Sequence, residues 1–198
     1  MARSVGIDRA QVVAAAAELA DAHGLDQLTL AQVAARLGVR LPSLYNHVDG
    51  LPGLRRELAL LGMRQLTDRM GQAAIGKSGD AAVLALALAY RSFVHERPGL
   101  YALTLRAPDA SDHALIELSE ALIRIVLVVL EPYQLGQAAA IHSVRALRSI
   151  VHGFATLEQA GGFGIPLDRD ESFVWLLRAY IAGLHEASPR RASERVSE

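Results

Sequence analysis

The stretch TLAQVAARLGVRLPSLYNHVDG, residues 29–50, decides the fold because it interrupts a helical pattern twice in short succession. Thr29 followed by Gln32 is a capping-box pattern, so a short helix is predicted to begin here and to run to Leu37. Gly38 is expected to end that helix, because glycine readily adopts the left-handed conformation found at helix ends. The first half of the stretch therefore predicts one short, well-capped helix.

The second half of the stretch predicts another short helix directly after a tight turn. Pro42 suits the first turn of a helix, and the segment is expected to stay helical to about Val48. Asp49-Gly50 then breaks the pattern. Two short helices around a glycine-containing turn are typical of a helix-turn-helix, with Leu44 and Val48 pointing inward.

Outside this stretch nearly every segment has helical periodicity, and no strand pattern is found. Asp8 is predicted to cap a helix that runs to His23, and Asp80 is predicted to cap one that runs through Glu96. Further helices are predicted from Leu51 to about Ala74, around 100–105, from Ser111 or Asp112 to Glu131-Pro132, from about Tyr133 to Ala160 (the longest), and from Asp168 through about Glu186. The sequence thus predicts an all-α protein of about nine helices. A three-helix helix-turn-helix domain is expected over residues 1–50 and a larger helical bundle over 51–187, joined by the helix 51–74; the polar tail 188–198 is expected to be disordered.

Composition is compatible with an intracellular globular protein. Hydrophobic residues make up 52% of the 198 residues, charged residues make up 21%, and cysteine is absent, which excludes disulfides and thiolate chemistry. No signal-peptide pattern and no membrane-spanning apolar run are found, so a soluble, cytoplasmic protein is expected. The net charge of −1 combines +2 over residues 1–77 with −3 over residues 78–198, which is a weak hint of an anionic partner for the N-terminal part.

The helix-turn-helix stretch resembles the DNA-binding signature of TetR-family transcriptional regulators. The resemblance covers about residues 8–60 and rests on the following positions: Thr29, Ala34, Gly38-Val39, Ser43, Leu44-Tyr45 and His47. It implies an all-α regulator with an N-terminal DNA-binding domain and a C-terminal regulatory domain. The segment RALRSIVHGFATLEQAGGFG also resembles a TetR subgroup whose regulatory domain contains a His-Gly pair.

The third helix is the predicted reading element, because a helix fits the major groove of B-DNA and its N-terminal residues face the base edges. Asn46 can pair with adenine, Leu41 and Pro42 can touch thymine methyl groups, and Ser43 can bond a base or a phosphate. Arg40 can reach a base or the backbone. Contacts to phosphate, which position the protein without specifying sequence, are expected from Thr29, Tyr45 and His47, and from the free N–H groups at the start of the second and fourth helices.

Two positions depart from the TetR pattern. Relatives usually carry a phosphate-binding lysine at the start of the fourth helix, where this chain has Leu51. Arg55 or Arg56, one turn later, is expected to replace it. In some relatives a basic residue early in the second helix reads a base, and here Ala31 holds that place.

The helix over about 133–160 carries a row of small and aliphatic residues that allows another helix to approach closely. With a face of the last helix, this row is the predicted homodimer interface, as the TetR resemblance implies; packing within one subunit is the alternative. The interface residues are Ala139, Ala146, Ile150, Gly153, Leu157, Phe173, Leu177, Tyr180 and Ile181.

A polar line on the same helix runs through His142, Arg145, Ser149 and His152 and remains open to three interpretations: a solvated face, the wall of an effector cavity, or polar contacts across the dimer. The effector would be a small molecule in a largely apolar pocket. Its predicted contacts are Met63, Leu66, Tyr90, Phe93, Tyr101, Leu122, His142, Arg145, His152 and Trp175.

No catalytic pattern is found. A phosphate-binding glycine loop, a nucleophile elbow and metal-ligand spacing are all absent, so neither an enzyme nor a cofactor is predicted. The main hypothesis is a homodimeric repressor that binds a palindromic operator and is released by a small molecule. The competing hypothesis is a helical ligand-binding or enzymatic domain in which the N-terminal helices are only structural.

Overall fold

The computed structural model describes residues 6–188, in which nine α-helices and no strand are found. The helices are α1 Arg9–His23, α2 Leu30–Leu37, α3 Leu41–Leu44, α4 Gly50–Ala74, α5 Gly79–Glu96, α6 Pro98–Ala102, α7 His113–Leu130, α8 Gln137–Gln159 and α9 Arg169–Ala187. The predicted all-α fold is therefore confirmed. Of the predicted tail, residues 189–198 lie outside the described residues. Within residues 6–188, none of the helices has both the length and the apolar content that crossing a membrane requires.

The chain divides into two compact units. The N-terminal unit comprises the residues up to Gln65 together with Glu96–Leu118, and the C-terminal unit comprises Leu66–His95 together with the residues from Ser119 onward. The three predicted DNA-binding helices all lie in the N-terminal unit. That unit also takes the first part of α4, all of α6 and the start of α7. The domain boundary at residue 50 stays a prediction.

Local sequence signals set the ends of the first helices. The Asp8 side chain accepts a 2.7 Å hydrogen bond from the Gln11 N–H, and the Gln11 side chain accepts one from the Asp8 N–H, so the first capping box is reciprocal. Thr29 and Gln32 form the same arrangement at the start of α2. Gly38 ends α2 with φ of +67°, in the left-handed region that glycine adopts without steric cost.

The core of the N-terminal unit places α2 against both α1 and α3, and α6 against α1. Asp21 on α1 accepts hydrogen bonds from the backbone N–H groups of Gly99 and Leu100 and from the Arg97 guanidinium, at 2.6–3.2 Å. A side chain on Gly99 would overlap the backbone of Ala20, so only glycine allows α6 to approach α1 this closely. Asp21 thereby supplies from α1 the cap that α6 lacks in its own sequence.

The third helix is shorter than predicted. α3 ends at Leu44, and the N–H of His47 bonds the Leu44 carbonyl three residues back, so residues 45–47 form a tight turn instead of continuing the helix to Val48. The inward side chains are confirmed, because Leu44 is fully buried and Val48 is nearly so. A single helical turn followed by a second, tighter turn brings the same residues to the surface.

Three further boundaries differ from the prediction. Asp80 does not cap α5 but lies in its first turn, where its carboxylate binds the Tyr133 hydroxyl at 2.6 Å and His185 at 2.8 Å. Pro98 and Gly99 begin α6 instead of only ending α5. α8 begins at Gln137 instead of Tyr133, because Gln134 adopts φ of +53°, which a helix does not permit. It is also shorter than α4, with 23 residues against 25.

Burial and pairing explain why residues 131–133 stay attached to the C-terminal unit. Tyr133 is buried against the edge of the His185 ring, with ring centroids 5.1 Å apart. Burial, together with the hydrogen bond to Asp80, raises the pKa of Tyr133 above its ordinary value. The hydroxyl therefore stays protonated and donates to the carboxylate across the whole physiological pH range.

Candidate functional site

The reading segment, residues 38–49, presents polar side chains on the surface of the N-terminal unit. Arg40, Asn46 and Tyr45 are exposed, the last with 57% of its surface accessible. Ser43 and His47 are half-buried. In the described part of the chain, none of the polar groups of Arg40 and Asn46 is bound to another side chain. Both side chains are therefore available to a partner outside the chain.

The apolar members of the predicted set are also accessible. Leu41 and Pro42 are exposed at the start of α3, where thymine methyl groups are expected to lie. Leu44 is fully buried between them and the rest of the unit, so it anchors the segment. The predicted DNA-facing and core-facing residues of the segment are therefore separated as expected, while the DNA contacts themselves stay a prediction.

Thr29 is exposed, but its hydroxyl is already engaged. It accepts a hydrogen bond from the Gln32 N–H at 3.3 Å and donates one to the Gln32 side chain at 3.0 Å. A bond from this hydroxyl to a phosphate would require it to give up the Gln32 oxygen. The N–H groups of Leu30 and Ala31 have no partner within the described chain, so they are the better phosphate donors at this helix end.

The start of α4 offers less to a phosphate than the sequence predicted. The N–H of Gly50 bonds the Val48 carbonyl and that of Gly53 bonds the Asp49 carbonyl. Pro52 has no N–H. Of the first four residues of α4, only Leu51 keeps a free backbone donor in the described chain, and the expected phosphate contact at this helix end stays a prediction.

Neither arginine that was expected to replace the missing lysine stands free. Arg55 donates to the Leu25 carbonyl at 3.3 Å, and its Nε is buried without a hydrogen-bond partner among the described residues. Arg56 forms two hydrogen bonds, of 2.6 and 2.8 Å, to the two oxygens of Asp112. The hydrogen bond from Arg56 holds the pKa of Asp112 below its ordinary value. In this conformation both guanidinium groups form hydrogen bonds within the N-terminal unit.

The predicted dimer residues fall into two groups. On α8, Gly153 is half-buried and Leu157 is half-exposed. A side chain added at Gly153 would meet no atom of the described residues within 4 Å. On α9, Phe173 and Leu177 have no exposed surface. They pack inside the C-terminal unit, which corrects their assignment to an interface.

The remaining interface candidates have intermediate positions. Ala139, Ala146 and Ile150 are half-buried, and Ile181 is buried. Tyr180 is also half-buried and donates its hydroxyl to the Ser143 carbonyl at 2.9 Å. Burial raises the pKa of Tyr180 to about 12, so this hydrogen bond persists at neutral pH. The open face of α9 lies instead along Trp175, Ala179, Ala182 and Gly183, which are all exposed.

The predicted effector residues do not form one surface. Met63 and Tyr101 are buried in the N-terminal unit, and Leu66, Tyr90 and Phe93 are buried in the C-terminal unit. Leu122 and His152 are half-buried, whereas His142, Arg145 and Trp175 are exposed, the last with 71% of its surface accessible. Three open clefts, of about 930, 390 and 450 Å³, are lined by other residues. The effector contacts therefore stay a prediction.

A polar cluster that the sequence did not reveal lies in the C-terminal unit and is here called the Arg91 cluster (Arg91, His95, Glu158 and Asp170). The Arg91 guanidinium forms hydrogen bonds of 2.5 and 2.7 Å to Glu158 and an ion pair of 2.8 Å to Asp170. Its central carbon also lies over two neighbouring phenyl rings, 5.3 Å from the centroid of Phe154 and 4.8 Å from that of Phe173. His95 contacts the same Glu158 carboxylate at 2.9 Å.

Electrostatics keeps both members of the central pair charged. Burial acts to raise the pKa of Glu158, but the hydrogen bonds from Arg91 and His95 outweigh it and leave the pKa below its ordinary value. The bond to Glu158 likewise raises the pKa of Arg91. The partners are 67 residues apart along the chain, so no local pattern could have shown the pair. The cluster joins α5 to the end of α8 and the start of α9.

The chain is similar to known bacterial regulators over most of its length. A family model described as bacterial regulatory proteins, tetR family, matches residues 12–47, and one described as tetracyclin repressor-like, C-terminal domain, matches residues 83–180. The uncharacterised HTH-type transcriptional regulator YobS of Bacillus subtilis is 36% identical over 185 residues, covering 93% of this chain and 96% of that protein.

Two solved structures share the fold. A protein of unknown function from Rhodococcus sp. RHA1 has a TM-score of 0.79 at 27% identity, covering 92% of this chain and 97% of that one. A TetR variant from Acinetobacter baumannii AYE, in complex with minocycline, has a TM-score of 0.68 at 26% identity, covering 92% and 98%. The resemblance to a His-Gly subgroup stays a prediction.

Proposed function

Because the chain belongs to the TetR family of transcriptional regulators, we propose that it is a homodimeric repressor that leaves a palindromic operator when a small molecule binds its C-terminal domain. The observation that carries the proposal is the reading segment, where Arg40, Tyr45 and Asn46 stand exposed on a short, well-anchored turn. Polar groups that are exposed and unpaired within the chain are the kind that bind base edges and phosphates. Operator DNA would place the protein in the cytoplasm.

The two C-terminal helices support a dimer. Gly153 on α8 and Gly183 on α9 both lie inside helices, where glycine costs about 1 kcal/mol relative to alanine. A side chain at either position would meet no atom of residues 6–188 within 4 Å, so packing among these residues does not account for the two glycines. The close approach of a helix from a second copy of the chain would account for both glycines. Trp175, on the open face of α9, supplies the large aromatic side chain that such interfaces favour.

A dimer also follows from the small size of the reading element. One helical turn with a few polar side chains can read only a few base pairs. Two copies related by a two-fold axis read two half-sites about one helical turn apart, which requires a palindromic operator. A small molecule would release the protein only to the extent that it binds the released state more tightly than the DNA-bound one.

The DNA part of the proposal is tested by fluorescence anisotropy with the DNA upstream of the chain's own gene. We expect binding that prefers this sequence over scrambled DNA and that weakens steeply as salt rises, because each phosphate contact releases counterions. Binding without sequence preference and without salt dependence would overturn the regulator. It would leave the competing hypothesis of a helical domain whose N-terminal helices are only structural.

The dimer is tested by sedimentation of Gly153→Leu. Leucine at this open position should hold the partner helix away and shift the protein toward monomer. Ala81→Leu is the matched control, because it adds the same side chain to an exposed first turn of α5 and should leave the dimer intact. A dimer that survives Gly153→Leu unchanged contradicts an interface along this face of α8.

A further inference from the structure

The C-terminal unit contains a groove between the last turn of α4 and one face of α7, here called the α4–α7 groove. Its volume is about 450 Å³. Its apolar walls include Gly71, Ala74, Ile75, Ile125, Val128 and Val129. None of the ten residues predicted to contact an effector belongs to its lining.

The walls of the groove are more exposed than apolar side chains of this size usually are. Ile75 is 74% accessible and Val128 is 60% accessible, while Val129 forms a buried floor. Gly71 keeps the α4 wall of the groove free of a side chain. A side chain at this position would meet the tip of Ile125 on the opposite wall. Two large apolar residues at the rim of a concave apolar surface mark a binding site more often than an ordinary surface.

Charge selects the chemistry of the ligand. Among the residues that line the groove in the described chain, Arg124 alone is charged. Its ion-pair partner is Glu120, one turn earlier, at 3.5 Å, and both side chains are more than 60% accessible. Such exposed pairs contribute little to stability, so a carboxylate on a ligand can take the place of Glu120. The groove therefore suits an apolar body with one anionic end.

Size favours a small molecule over a protein partner. Eight residues line the groove, whereas a stable protein interface uses about 20–30 residues on each side. Ligand pockets typically have volumes of about 300–1,000 Å³, a range that includes this groove. A second copy of the chain is a poorer fit for the same reason, and the open faces of α8 and α9 already offer such a copy a surface.

We propose that the α4–α7 groove binds an amphiphilic carboxylate, with the apolar part along Ile75, Ile125 and Val128 and the carboxylate on Arg124. The inference rests on the proposed function in one respect, since it identifies this ligand as the effector. The groove is formed in part by α4, the helix whose first residues follow the reading segment directly. Occupation of the groove thus acts on a helix that also contributes residues 50–65 to the DNA-binding unit.

The binding step is tested without DNA, by isothermal titration calorimetry of the full chain with decanoate, decylamine and decanol below their micelle concentrations. Decanoate should bind saturably, and decylamine and decanol should bind at least about tenfold more weakly, because only the carboxylate forms a charged hydrogen bond with Arg124. Equal binding of decanoate and decylamine would overturn the proposal, as would no saturable binding of decanoate.

Two pairs of variants locate the site. Arg124→Gln should weaken decanoate about tenfold, and Arg106→Gln, which removes an exposed arginine of the N-terminal unit, should leave it unchanged. Ala74→Phe should fill the groove and abolish binding, whereas Ala81→Phe on α5 should not. Thermal unfolding confirms that each variant is folded. Decanoate binding that survives both Arg124→Gln and Ala74→Phe excludes the groove.

Anisotropy with the bound DNA separates this inference from the proposed function. If decanoate binds the groove and its addition abolishes DNA binding, both the proposed repressor function and the groove as the effector site are supported. If decanoate binds but operator affinity does not change, the groove is a ligand site and its role as the effector site is wrong. If no DNA binds at all, the repressor fails while the calorimetric result for the groove is unaffected.

Discussion

The reading segment and the Arg91 cluster are both rich in polar side chains, but they use them in opposite ways. In the reading segment the side chains of Arg40 and Asn46 are exposed, and buried apolar side chains such as Leu44 anchor the segment to the core. In the Arg91 cluster the guanidinium and His95 both bind the Glu158 carboxylate. The comparison teaches that polar residues of one sequence stabilise the fold where they pair with one another and remain available to an outside partner where they do not. Substitutions in the two regions should therefore change different measured quantities.

The largest effect is expected in the Arg91 cluster. Arg91→Met leaves the Glu158 carboxylate, whose side chain is only 5% accessible, without its main partner. We expect the free energy of unfolding near neutral pH to fall by about 3 kcal/mol, as it does when a buried pair is broken on one side. Urea denaturation followed by circular dichroism measures this loss. Arg178→Met, on the exposed surface of α9, should change stability by less than about 0.5 kcal/mol.

The same variant has a pH dependence with a definite sign. The folded-state pKa of Glu158 lies below its ordinary value, so the pair stabilises the fold above that value and is lost as pH falls through the lowered pKa. The difference between Arg91→Met and the unsubstituted protein should therefore shrink below about pH 4. A difference that stays constant from neutral to acidic pH would mean that Arg91 stabilises through its phenyl contacts alone.

A somewhat smaller loss of stability is expected where α6 packs on α1 in the N-terminal unit. Gly99→Ala places a methyl group into the backbone of Ala20 and pushes α6 away from Asp21. We expect a loss of about 2–3 kcal/mol, at the upper end of overpacking effects. Gly164→Ala is the control, since its side chain would enter open space. Equal stability of the two variants would show that α1 and α6 can separate without cost.

The reading segment should respond in specificity instead of stability. Asn46→Ala should relax discrimination at one base pair by about 1–3 kcal/mol, because its amide can pair with adenine in two places. The free energy of unfolding should hardly change, as Asn46 is exposed. Competition binding with operators substituted at single positions measures the effect, with Gln137→Ala on α8 as a control. A uniform loss over all sequences would make Asn46 a phosphate contact.

The smallest effect separates two arginines of the N-terminal unit. Arg40→Gln should remove about one phosphate contact. A plot of log affinity against log salt concentration should then fall less steeply, with a slope smaller in magnitude by about 0.9. Arg56→Gln should leave that slope unchanged, because its guanidinium is held by Asp112. Anisotropy at several salt concentrations gives both slopes. A lower slope for Arg56→Gln would mean that Arg56 leaves Asp112 for a phosphate in the complex.

How far the sequence predicted this structure depends on how local each interaction is. Asp8 with Gln11, and Thr29 with Gln32, bond residues three positions apart, so a short pattern predicted both caps correctly. Asp80 was predicted to cap α5 by the same kind of pattern, but it lies inside the first turn of that helix, and its partners Tyr133 and His185 are 53 and 105 residues away. No pattern within one helix could have predicted that use.

The candidate site follows the same rule. Exposure of the reading segment could be predicted, because it depends on which side chains of one short helix fill the core beneath it. The hydrogen bonds of Arg55 and Arg56 could not be predicted, since their partners Leu25 and Asp112 lie on other segments of the chain. Phe173 and Leu177 of α9 were assigned to the dimer interface for a similar reason, although both are fully buried within the chain. Phe173 and Leu177 are apolar at helical spacing, and spacing alone does not distinguish packing within a chain from packing between chains.

Trp175 has a practical consequence for all of these experiments. It is the only tryptophan in the sequence, and its indole stands on the open face of α9. Intrinsic tryptophan fluorescence therefore comes from one known place on the molecule, without labelling. An indole in water emits at longer wavelength than a buried one, so dilution of an associated protein should shift the emission to the red. The chain carries its own optical probe at the face where a second copy is expected.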